Sequence, residues 1–333
     1  MIISFFEIEE WEKELLQQTL AVHTLVFSKH KLTQETLNVA KEAEIISTFI
    51  YSQLSDDILF QRPHLKLIAT RSTGYDHIDL SYCRKHSIAV SNVPVYGVHT
   101  IAEHTFALIL ALSRKIIPSV EKTRRGDFTL GGLRGFELAN KTLGLVGLGH
   151  IGKRVAQIAR GFRMNVIATT RHPDPHLAEQ LGITFVDLLT LLKTSDVVSL
   201  HVPLTSETRH LISKKNIGLM KKGSLLVNTS RGAIVETEAI LWSLEQGILM
   251  GAGLDVLEEE RALKEERELI TQEFLKTCDL KTQLLNHVLL TNQNVIITPH
   301  NAFNSQEALT EILTTTTDTI NAWISHSPTN IVG

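Results

Sequence analysis

Short apolar runs alternate with amphipathic stretches along most of the chain. In the first hundred residues, five apolar runs predict β-strands, and the stretches between them carry apolar residues at helical spacing. Such alternation is typical of a parallel sheet covered by helices. The predicted strands are 2–4, 22–27, 45–47, 66–70 and 88–90, and the predicted helices between them lie near 8–20, 33–40 and 79–86.

A second alternation begins at Leu143, after Pro94 and Gly97 have interrupted the first. The apolar stretch from about Thr100 to Ile117 predicts one long helix, which is apolar nearly all round and therefore buried. A last periodic stretch, roughly Ser305 to Ile324, predicts a closing helix. The predicted strands of the second alternation are 143–147, 165–170, 197–200, 224–228, 251–255 and 295–298.

Two alternations joined by long helices predict the α/β class with two Rossmann-like, doubly wound parallel sheets. We expect one domain to be inserted into the other, with the closing helix completing the first domain. The predicted boundaries are 1–99 plus 300–333 for one domain and 100–299 for the other.

Composition excludes several classes of function. With 33 Lys and Arg against 36 Asp and Glu, the chain has no basic excess to neutralise phosphates, so we expect no nucleic-acid partner. The most apolar stretch, Phe106 to Leu112, is too short to span a bilayer, and the acidic N-terminus does not resemble a signal peptide. Cys83 and Cys278 lack the spacing of metal ligands, so we expect them to be ordinary thiols in a reducing cytoplasm.

A glycine-rich loop follows the first strand of the second alternation. Gly147 permits a tight turn, Gly149 lets the backbone approach a pyrophosphate, and Gly152 lets helix and strand pack closely. The helix that begins at His150 and Ile151 would present free N–H groups to the phosphates. A ligand-free turn and the similar loop of a methyltransferase are the alternatives. The strand–loop–helix context favours a dinucleotide.

Cofactor preference depends on the residues after the next strand. Folds that bind NAD place Asp or Glu there, on the ribose hydroxyls. This chain has Thr170, 18 residues after Gly152, and then Arg171, so we expect no carboxylate that would repel a 2′-phosphate. Arg171 could pair with that phosphate. Alternatively, Arg171 is a solvated loop residue and NAD binds through backbone and water. The pattern favours NADP(H) over NAD(H).

Three segments at the ends of predicted strands carry reactive side chains: 228–232, 253–260 and 298–302. Ligands of open α/β sheets bind outside these strand ends. A hydride that reaches a ketone carbon leaves negative charge on oxygen, and His300 is a natural acid because imidazole titrates near neutral pH. Arg231 offers a fork of donors to a substrate carboxylate. Taken singly, Arg231 could be a surface ion-pair partner and His300 a turn cap.

A carboxylate beside His300 would favour the imidazolium and hold the ring in place. The acidic run of the middle segment leaves a choice among Glu258, Glu259 and Glu260. Any of these could instead be one more charge on a solvated surface.

The chain resembles the D-isomer-specific 2-hydroxyacid dehydrogenases over nearly its whole length, and within them the D-lactate dehydrogenase branch. The resemblance implies that Arg231, Glu260 and His300 are the catalytic Arg, Glu and His of the family. The family's carboxylate stands five residues after the Asp at position 255, which selects Glu260. The motifs that carry the resemblance are the glycine loop, the three segments above, and the stretches 70–79, 93–96, 102–105 and 201–205.

The resemblance also implies a dinucleotide domain inserted into a flavodoxin-like substrate domain, with supporting residues in both. Backbone amides of Ser72, Thr73 and Gly74 would receive the substrate carboxylate. Tyr96 and Phe303 would contact the substrate, although a packing role fits both about as well. The further residues expected around the cofactor are His201, Val202, Pro203, Thr208, Thr229, Ser230 and Asp255, the last of which would accept a hydrogen bond from the nicotinamide amide.

The implied function is NAD(P)-dependent reduction of a small, pyruvate-like 2-keto acid to the D-2-hydroxy acid. We expect a cytoplasmic homodimer formed through the cofactor domains, with the helix from Thr100 at the contact, and no metal because the chemistry needs no Lewis acid. Glyoxylate or hydroxypyruvate reduction is the alternative activity. A dinucleotide-sensing binding protein, like the C-terminal-binding corepressors, is the non-enzyme alternative. Phosphoglycerate and formate oxidation are disfavoured.

The chain departs from the common family pattern in three places. Thr170 replaces the acidic residue, and Arg261 stands where a proline commonly follows the catalytic Glu. The stretch from Arg261 to Thr291 is long and polar, which resembles the lactate branch. It could shape the mouth of the substrate site or cover a surface.

Overall fold

The computed structural model describes residues 1–260 and 279–332. The chain divides into two compact units, Met1–Gly97 with Asn304–Gly333, and Val98–Phe303. Each unit is built on one parallel sheet, so the predicted α/β class with two parallel-sheet domains is confirmed. In the sequence, the second unit is inserted between the two parts of the first.

Some predictions lie outside the described residues. These are the departure at Arg261, the part of the polar stretch up to residue 278, and Cys278 itself. The other cysteine, Cys83, is buried, and this burial raises the pKa of its thiol to about 11, so it behaves as an inert apolar side chain.

The first unit contains strands β1 Ile2–Phe5, β2 Thr24–Phe27, β3 Ile45–Thr48, β4 Leu67–Thr70 and β5 Ala89–Ser91, and helices α1 Glu10–Thr19, α2 Asp56–Leu59 and α3 Leu80–Lys85. A last helix, Gln306–Ile324, also belongs to it. The strand order is β2-β1-β3-β4-β5, the flavodoxin-like order. Leu313 and Ile320 of the last helix share a core with Phe5 and Leu67 of the sheet, so this helix completes the unit.

The second unit contains strands β6 Thr142–Val146, β7 Asn165–Thr169, β8 Thr184–Phe185, β9 Val197–Leu200, β10 Ser224–Asn228, β11 Leu249–Leu254 and β12 Val295–Ile297. Its helices are α4 Val98–Ser113, α5 Ile116–Arg124, α6 His150–Gly161, α7 Pro175–Leu181, α8 Leu188–Thr194, α9 Thr237–Glu245 and α10 Leu280–Thr291, and the last helix of the first unit is then α11.

The strand order of the second unit is β12-β11-β10-β9-β6-β7-β8. From β8 to β11 this is the Rossmann order, in which the chain reverses direction across the sheet between β6 and β9. One apolar core contains Phe106 of α4 and Val155 of α6, and the other contains Leu191 of α8 and Ile240 of α9. Helices therefore cover both faces of the sheet, and the first strand ends at its centre.

The long helix predicted from Thr100 to Ile117 was wrong in its extent, because the chain breaks at Lys115. This residue has a left-handed backbone with φ of 52°. The cause lies three residues on, where Pro118 has no N–H and its ring would clash with the carbonyl of Arg114 in a continuous helix. The chain therefore ends α4 at Ser113 and starts α5 in a new direction.

The helix predicted over 33–40 was also wrong, since only Leu37–Ala40 forms a single 3-10 turn. In the residues before this turn, a threonine hydroxyl takes up the backbone groups that a helix would need for its own hydrogen bonds. The backbone N–H of Thr33 donates to the Thr36 hydroxyl over 2.9 Å, and that hydroxyl donates to the carbonyl of Lys31 over 2.7 Å. Such local bonds favour turns over helix.

Among the described helices, none combines the length and the apolar character that a membrane crossing requires.

Candidate functional site

The three glycines of the loop after β6 occupy three different environments. A Cβ on Gly147, which has a φ of 97°, would lie 2.3 Å from the carbonyl oxygen of His201. A Cβ on Gly152 would lie 2.4 Å from the carbonyl oxygen of Gly147. Both positions therefore exclude any side chain.

Gly149 differs, because a Cβ there would meet nothing within 4 Å. Gly149 is also the N-cap of α6, and no side chain caps the helix N-terminus that His150 and Ile151 begin. Open space in front of uncapped N–H groups fits a pyrophosphate, which needs backbone donors at close range. The loop therefore fits the predicted dinucleotide.

The end of β7 carries an ion pair that the sequence did not predict. The strand ends at Thr169, one residue earlier than expected, and Thr170 and Arg171 follow. Nη2 of Arg171 lies 3.3 Å from Oε2 of Glu207, and both side chains are exposed. A carboxylate is thus present at this position after all, supplied by the loop after β9 and not by the strand itself.

The loop after β9 contains four of the residues expected around the cofactor. His201 follows the strand and its Nε2 lies 2.9 Å from the hydroxyl of Ser199. Burial lowers the pKa of His201 to about 4, so its ring is neutral near pH 7. Val202 and Pro203 follow, and the hydroxyl of Thr208 donates to the carbonyl of Pro203 over 2.6 Å. This hydrogen bond therefore connects two parts of the same loop and stabilises its conformation.

Three neighbouring strands present the predicted chemistry at one edge of the sheet. Arg231 follows β10, Glu260 follows β11 and His300 follows β12. The three strands are parallel and adjacent, so their carboxyl ends lie side by side. Thr229 and Ser230, also after β10, are fixed by bonds from Thr229 to Thr105 and from Ser230 to Leu200.

Glu260 and His300 meet at this edge. Oε1 of Glu260 lies 2.6 Å from Nδ1 of His300, within a hydrogen bond. Both side chains are only partly exposed, at 24% and 15%. The other ring nitrogen of His300, Nε2, makes no hydrogen bond to any residue that the structure describes. One nitrogen is thus oriented by a carboxylate while the other remains available to a ligand.

Asp255 anchors the loop that carries His300. Its carboxylate accepts hydrogen bonds from the backbone N–H groups of Asn301 and Ala302, over 3.0 and 2.9 Å, and from the hydroxyl of Thr298. Its backbone carbonyl accepts the N–H of His300 over 2.8 Å. These bonds stabilise a left-handed backbone at His300, with a φ of 56°, which is uncommon for a residue with a side chain.

The loop that carries Arg231 packs directly on the segment that carries Glu260. A Cβ on Gly232 would lie 2.0 Å from the carbonyl carbon of Leu257. Nη1 of Arg231 donates to the carbonyl of Ser230 over 2.9 Å, which directs the half-buried guanidinium along its own loop. Backbone contact therefore ties the first of the three strand ends to the second.

In the first unit, side-chain hydrogen bonds fix the carbonyl groups of the loop after β4. The hydroxyl of Ser72 donates to the carbonyl of Gly74 over 2.6 Å, and Nδ2 of Asn92 donates to the carbonyl of Thr73 over 2.8 Å. Within residues 1–260 and 279–332, the N–H groups of Thr73 and Gly74 donate no hydrogen bond. Two fixed, unused amides fit the predicted carboxylate-binding role.

The remaining predicted substrate contacts are both half-buried. Tyr96 follows β5 in the first unit, and Phe303 is the last residue of the second unit. Both have contacts within the chain.

Sequence reasoning missed several residues of the site. His104 on α4 lies 3.1 Å from the hydroxyl of Thr298 and 3.6 Å from Asp255, so it joins the anchor of the His300 loop. Glu258 is almost completely buried and pairs with His210. The acidic run was the only signal for Glu258, and nothing along the sequence linked it to His210. No group of three or more potential metal ligands occurs among the described residues.

Comparison with known proteins decides the family. Residues 106–302 match the model of the D-isomer specific 2-hydroxyacid dehydrogenase NAD binding domain. The chain belongs to this family. As a D-isomer-specific 2-hydroxyacid dehydrogenase family member, it is an oxidoreductase with a domain for a nicotinamide dinucleotide, and the family predicted from its motifs is confirmed.

Relatives of this family match the chain along most of its length. The D-lactate dehydrogenase of Escherichia coli is 34% identical over 95% of this chain and 94% of that protein. The glyoxylate reductase of Thermococcus litoralis is 38% identical over 80% of this chain and 78% of that protein. The structure of the D-lactate dehydrogenase from Aquifex aeolicus, complexed with NAD and lactic acid, matches with a TM-score of 0.87 and 35% identity over 98% of this chain and 96% of that one.

Proposed function

We propose that this enzyme reduces a small, pyruvate-like 2-keto acid to the D-2-hydroxy acid with NADPH or NADH, and catalyses the reverse oxidation. The observation that carries the proposal is the 2.6 Å contact between Glu260 and Nδ1 of His300 at the edge formed by β10, β11 and β12. An imidazole oriented by a carboxylate, with its second nitrogen open, is the arrangement that general acid–base catalysis needs.

His300 moves the proton. In the reductive direction the imidazolium donates from Nε2 to the oxygen that was the keto group, and the charge of Glu260 stabilises the ring before transfer. In the oxidative direction the neutral ring accepts the hydroxyl proton. The bound dinucleotide supplies or accepts the hydride.

Arg231 binds the substrate carboxylate and polarises its keto group. A guanidinium suits this role because its planar fork of donors matches two oxygens at once and it keeps its charge at any working pH. In the first unit, the amides of Ser72, Thr73 and Gly74 are suited to a carboxylate, and Tyr96 is suited to a substrate contact. In the second unit, Phe303 is proposed for a substrate contact.

The glycine loop would hold the dinucleotide, and Gly149 and the uncapped N-terminus of α6 would offer backbone donors to its pyrophosphate. The supporting residues are those that the sequence predicted around the cofactor, including Asp255 and His201. Arg171 favours the 2′-phosphate of NADP(H) through a charge-assisted contact, and this preference is part of the proposal.

The enzyme forms a homodimer in the cytoplasm through its second unit. Several apolar side chains along α5 and just after it are exposed in the single chain. Among them, Phe128 and Leu130 are 78% and 83% exposed. Exposed apolar groups on this scale favour a protein contact. The predicted contact helix α4, in contrast, places Phe106, Ile109 and Leu112 in the core of its own unit.

A panel of 2-keto acids, each assayed with both reduced cofactors, tests the proposal. Pyruvate turnover with D-stereochemistry of the product is the expected result. The glyoxylate reductase relative favours glyoxylate or hydroxypyruvate as the second candidate substrate. If one of these acids is reduced faster than pyruvate, it replaces pyruvate in the proposal. Dinucleotide binding without turnover of any keto acid would contradict enzymatic function and favour a cofactor-sensing protein.

A further inference from the structure

A second carboxylate–histidine pair lies beside the one described above. Glu258 is buried, with 7% of its side chain exposed, and its Oε1 lies 2.6 Å from Nε2 of His210 and 3.5 Å from Nη2 of Arg209. Its Oε2 accepts a hydrogen bond from the hydroxyl of Thr237 over 3.2 Å. A buried carboxylate is costly unless it is paired and hydrogen-bonded, so these partners fix where Glu258 lies.

The backbone around Glu258 is held from helix α10 as well. Nδ2 of Asn286 donates to the carbonyl of Glu258 over 2.7 Å, and Nε2 of Gln283 donates to the carbonyl of Glu259 over 2.9 Å. Glu259 adopts a left-handed conformation with a φ of 55°, which costs energy for a residue with a side chain. The segment keeps this shape only because its surroundings hold it.

This anchored segment leads directly into Glu260. A single residue, Glu259, separates the buried Glu258 from Glu260, whose carboxylate contacts His300. On its other side, the backbone at Leu257 is in contact with Gly232, next to Arg231. A hydrogen-bonded histidine–carboxylate contact tolerates little displacement, since misplacement by about 1 Å can cost on the order of 10²-fold in rate.

We propose that Glu258 and His210 are positioning residues, which act on the reaction by holding Glu260 against Nδ1 of His300. The inference rests on the proposed function, in which Glu260 and His300 form the acid–base pair. Neither Glu258 nor His210 touches the substrate or transfers a proton. Their hydrogen-bonded contact fixes the backbone from which Glu260 reaches the imidazole.

The substitution Glu258→Gln tests the proposal, because it keeps the shape of the side chain and removes the charge that His210 and Arg209 meet. If Glu260 loosens, the imidazolium of His300 loses a stabilising anion, so the pH at which keto-acid reduction falls to half its maximum moves downward. We expect kcat to fall roughly tenfold, and dinucleotide affinity, measured by fluorescence titration, to stay unchanged.

Two other titratable groups among the described residues face the His300 loop. They are Asp255, directly after β11, and His104 on α4, and the substitution leaves both in place. Glu238→Gln is the matched control, since it also removes a carboxylate that is paired with cations, Lys214 and Lys281, on helix α9 beside Thr237. The control should leave the pH profile of kcat where it is.

A double substitution separates positioning from general structural damage. If Glu258 acts through Glu260, then Glu258→Gln should add almost nothing in a Glu260→Gln background, because the group being positioned is already gone. An equal further loss in that background, or an unchanged pH midpoint in the single variant, would overturn the proposal.

Glu260→Gln alone tests the proposed function. If it changes neither kcat nor the pH midpoint, the acid–base pair itself is wrong, whereas a strong effect of Glu260→Gln with none from Glu258→Gln refutes only the positioning role. Should Glu258→Gln not fold, Thr237→Val removes one hydrogen bond to the same carboxylate and keeps its charge. It should produce a smaller downward move of the pH midpoint, and no move would refute the role.

Discussion

Nη2 of Arg171 lies 3.3 Å from Oε2 of Glu207, so the position expected to meet the adenosine ribose carries a cation and an anion together. The two charges have opposite effects on a 2′-phosphate: Arg171 attracts it and Glu207 repels it. Because both side chains are exposed, their mutual attraction is weak and a bound phosphate can compete for Arg171.

Arg171→Ala should therefore raise the KM for NADPH roughly tenfold or more and leave the KM for NADH nearly unchanged. Glu207→Gln should shift the preference the other way, towards NADPH. Glu179→Gln, at an exposed carboxylate on α7, is the charge-matched control. Equal effects of Arg171→Ala on both cofactors would remove the phosphate-pairing explanation.

His300→Ala should reduce turnover by a factor on the order of 10² or more, because the ketone oxygen loses its proton donor. Binding of the dinucleotide, followed by fluorescence, should be unaffected, since the glycine loop is on other strands. If cofactor affinity fell as far as kcat, misfolding rather than lost acid catalysis would explain the result.

Arg231→Lys should keep the positive charge and still lower kcat/KM by about 10²-fold, since an ammonium cannot replace the planar fork of donors. Steady-state kinetics over a range of keto-acid concentrations measure this. A variant with nearly wild-type kcat/KM would show that charge alone is sufficient and that the bidentate clamp is not used.

Phe128→Asp together with Leu130→Asp should convert the homodimer to a monomer, because each places a charge on an apolar contact surface. Light scattering coupled to size-exclusion chromatography measures the mass. Phe60→Asp, at an equally exposed apolar side chain of the first unit, should leave the dimer intact. A wild-type protein that elutes as a monomer at micromolar concentration would refute the dimer.

The neutral His201 should make stability depend on pH. Its folded-state pKa is about 4, whereas a histidine in the unfolded chain titrates near 6.5. Between these values the unfolded chain binds the extra proton, so the contribution is complete above about pH 6.5 and is lost as the pH falls towards 4.

The loss amounts to about 1–3 kcal/mol in the free energy of unfolding. Urea titrations at several pH values should show a flatter dependence for His201→Gln than for the wild type. His172→Gln, at an exposed histidine, should keep the wild-type slope. Equal slopes for all three proteins would mean that the pKa of His201 is the same in the folded and the unfolded chain.

Much of the fold follows from local pattern. Apolar runs marked eleven of the strands because buried parallel strands are continuously apolar, and the glycine loop marked the helix that follows β6. The two-residue strand β8 has too few positions to show a pattern. The apolar pattern alone predicted one continuous helix across Lys115, which was wrong. The effect of Pro118 on the helix had to be considered as well.

The site was less predictable, because it depends on contacts between distant segments. Residues that follow parallel strands can be expected at one edge, which brings Arg231, Glu260 and His300 together. No periodicity along the sequence indicates that Glu207 reaches Arg171 from another loop, or that His210 reaches Glu258. Such pairs arise from loop conformations that only the folded chain defines.

The split of the first unit around the second has a consequence during synthesis. During synthesis, residues 98–303, which contain the strands and helices of the second unit, are made before Gln306, whereas Leu313 and Ile320 cannot cover the sheet of β1 to β5 until they too have been made. Domains generally fold as units, so the unit that starts first finishes last. A nascent chain stalled before Gln306 would thus expose the apolar face of its first sheet, and that stage is where chaperone protection matters most.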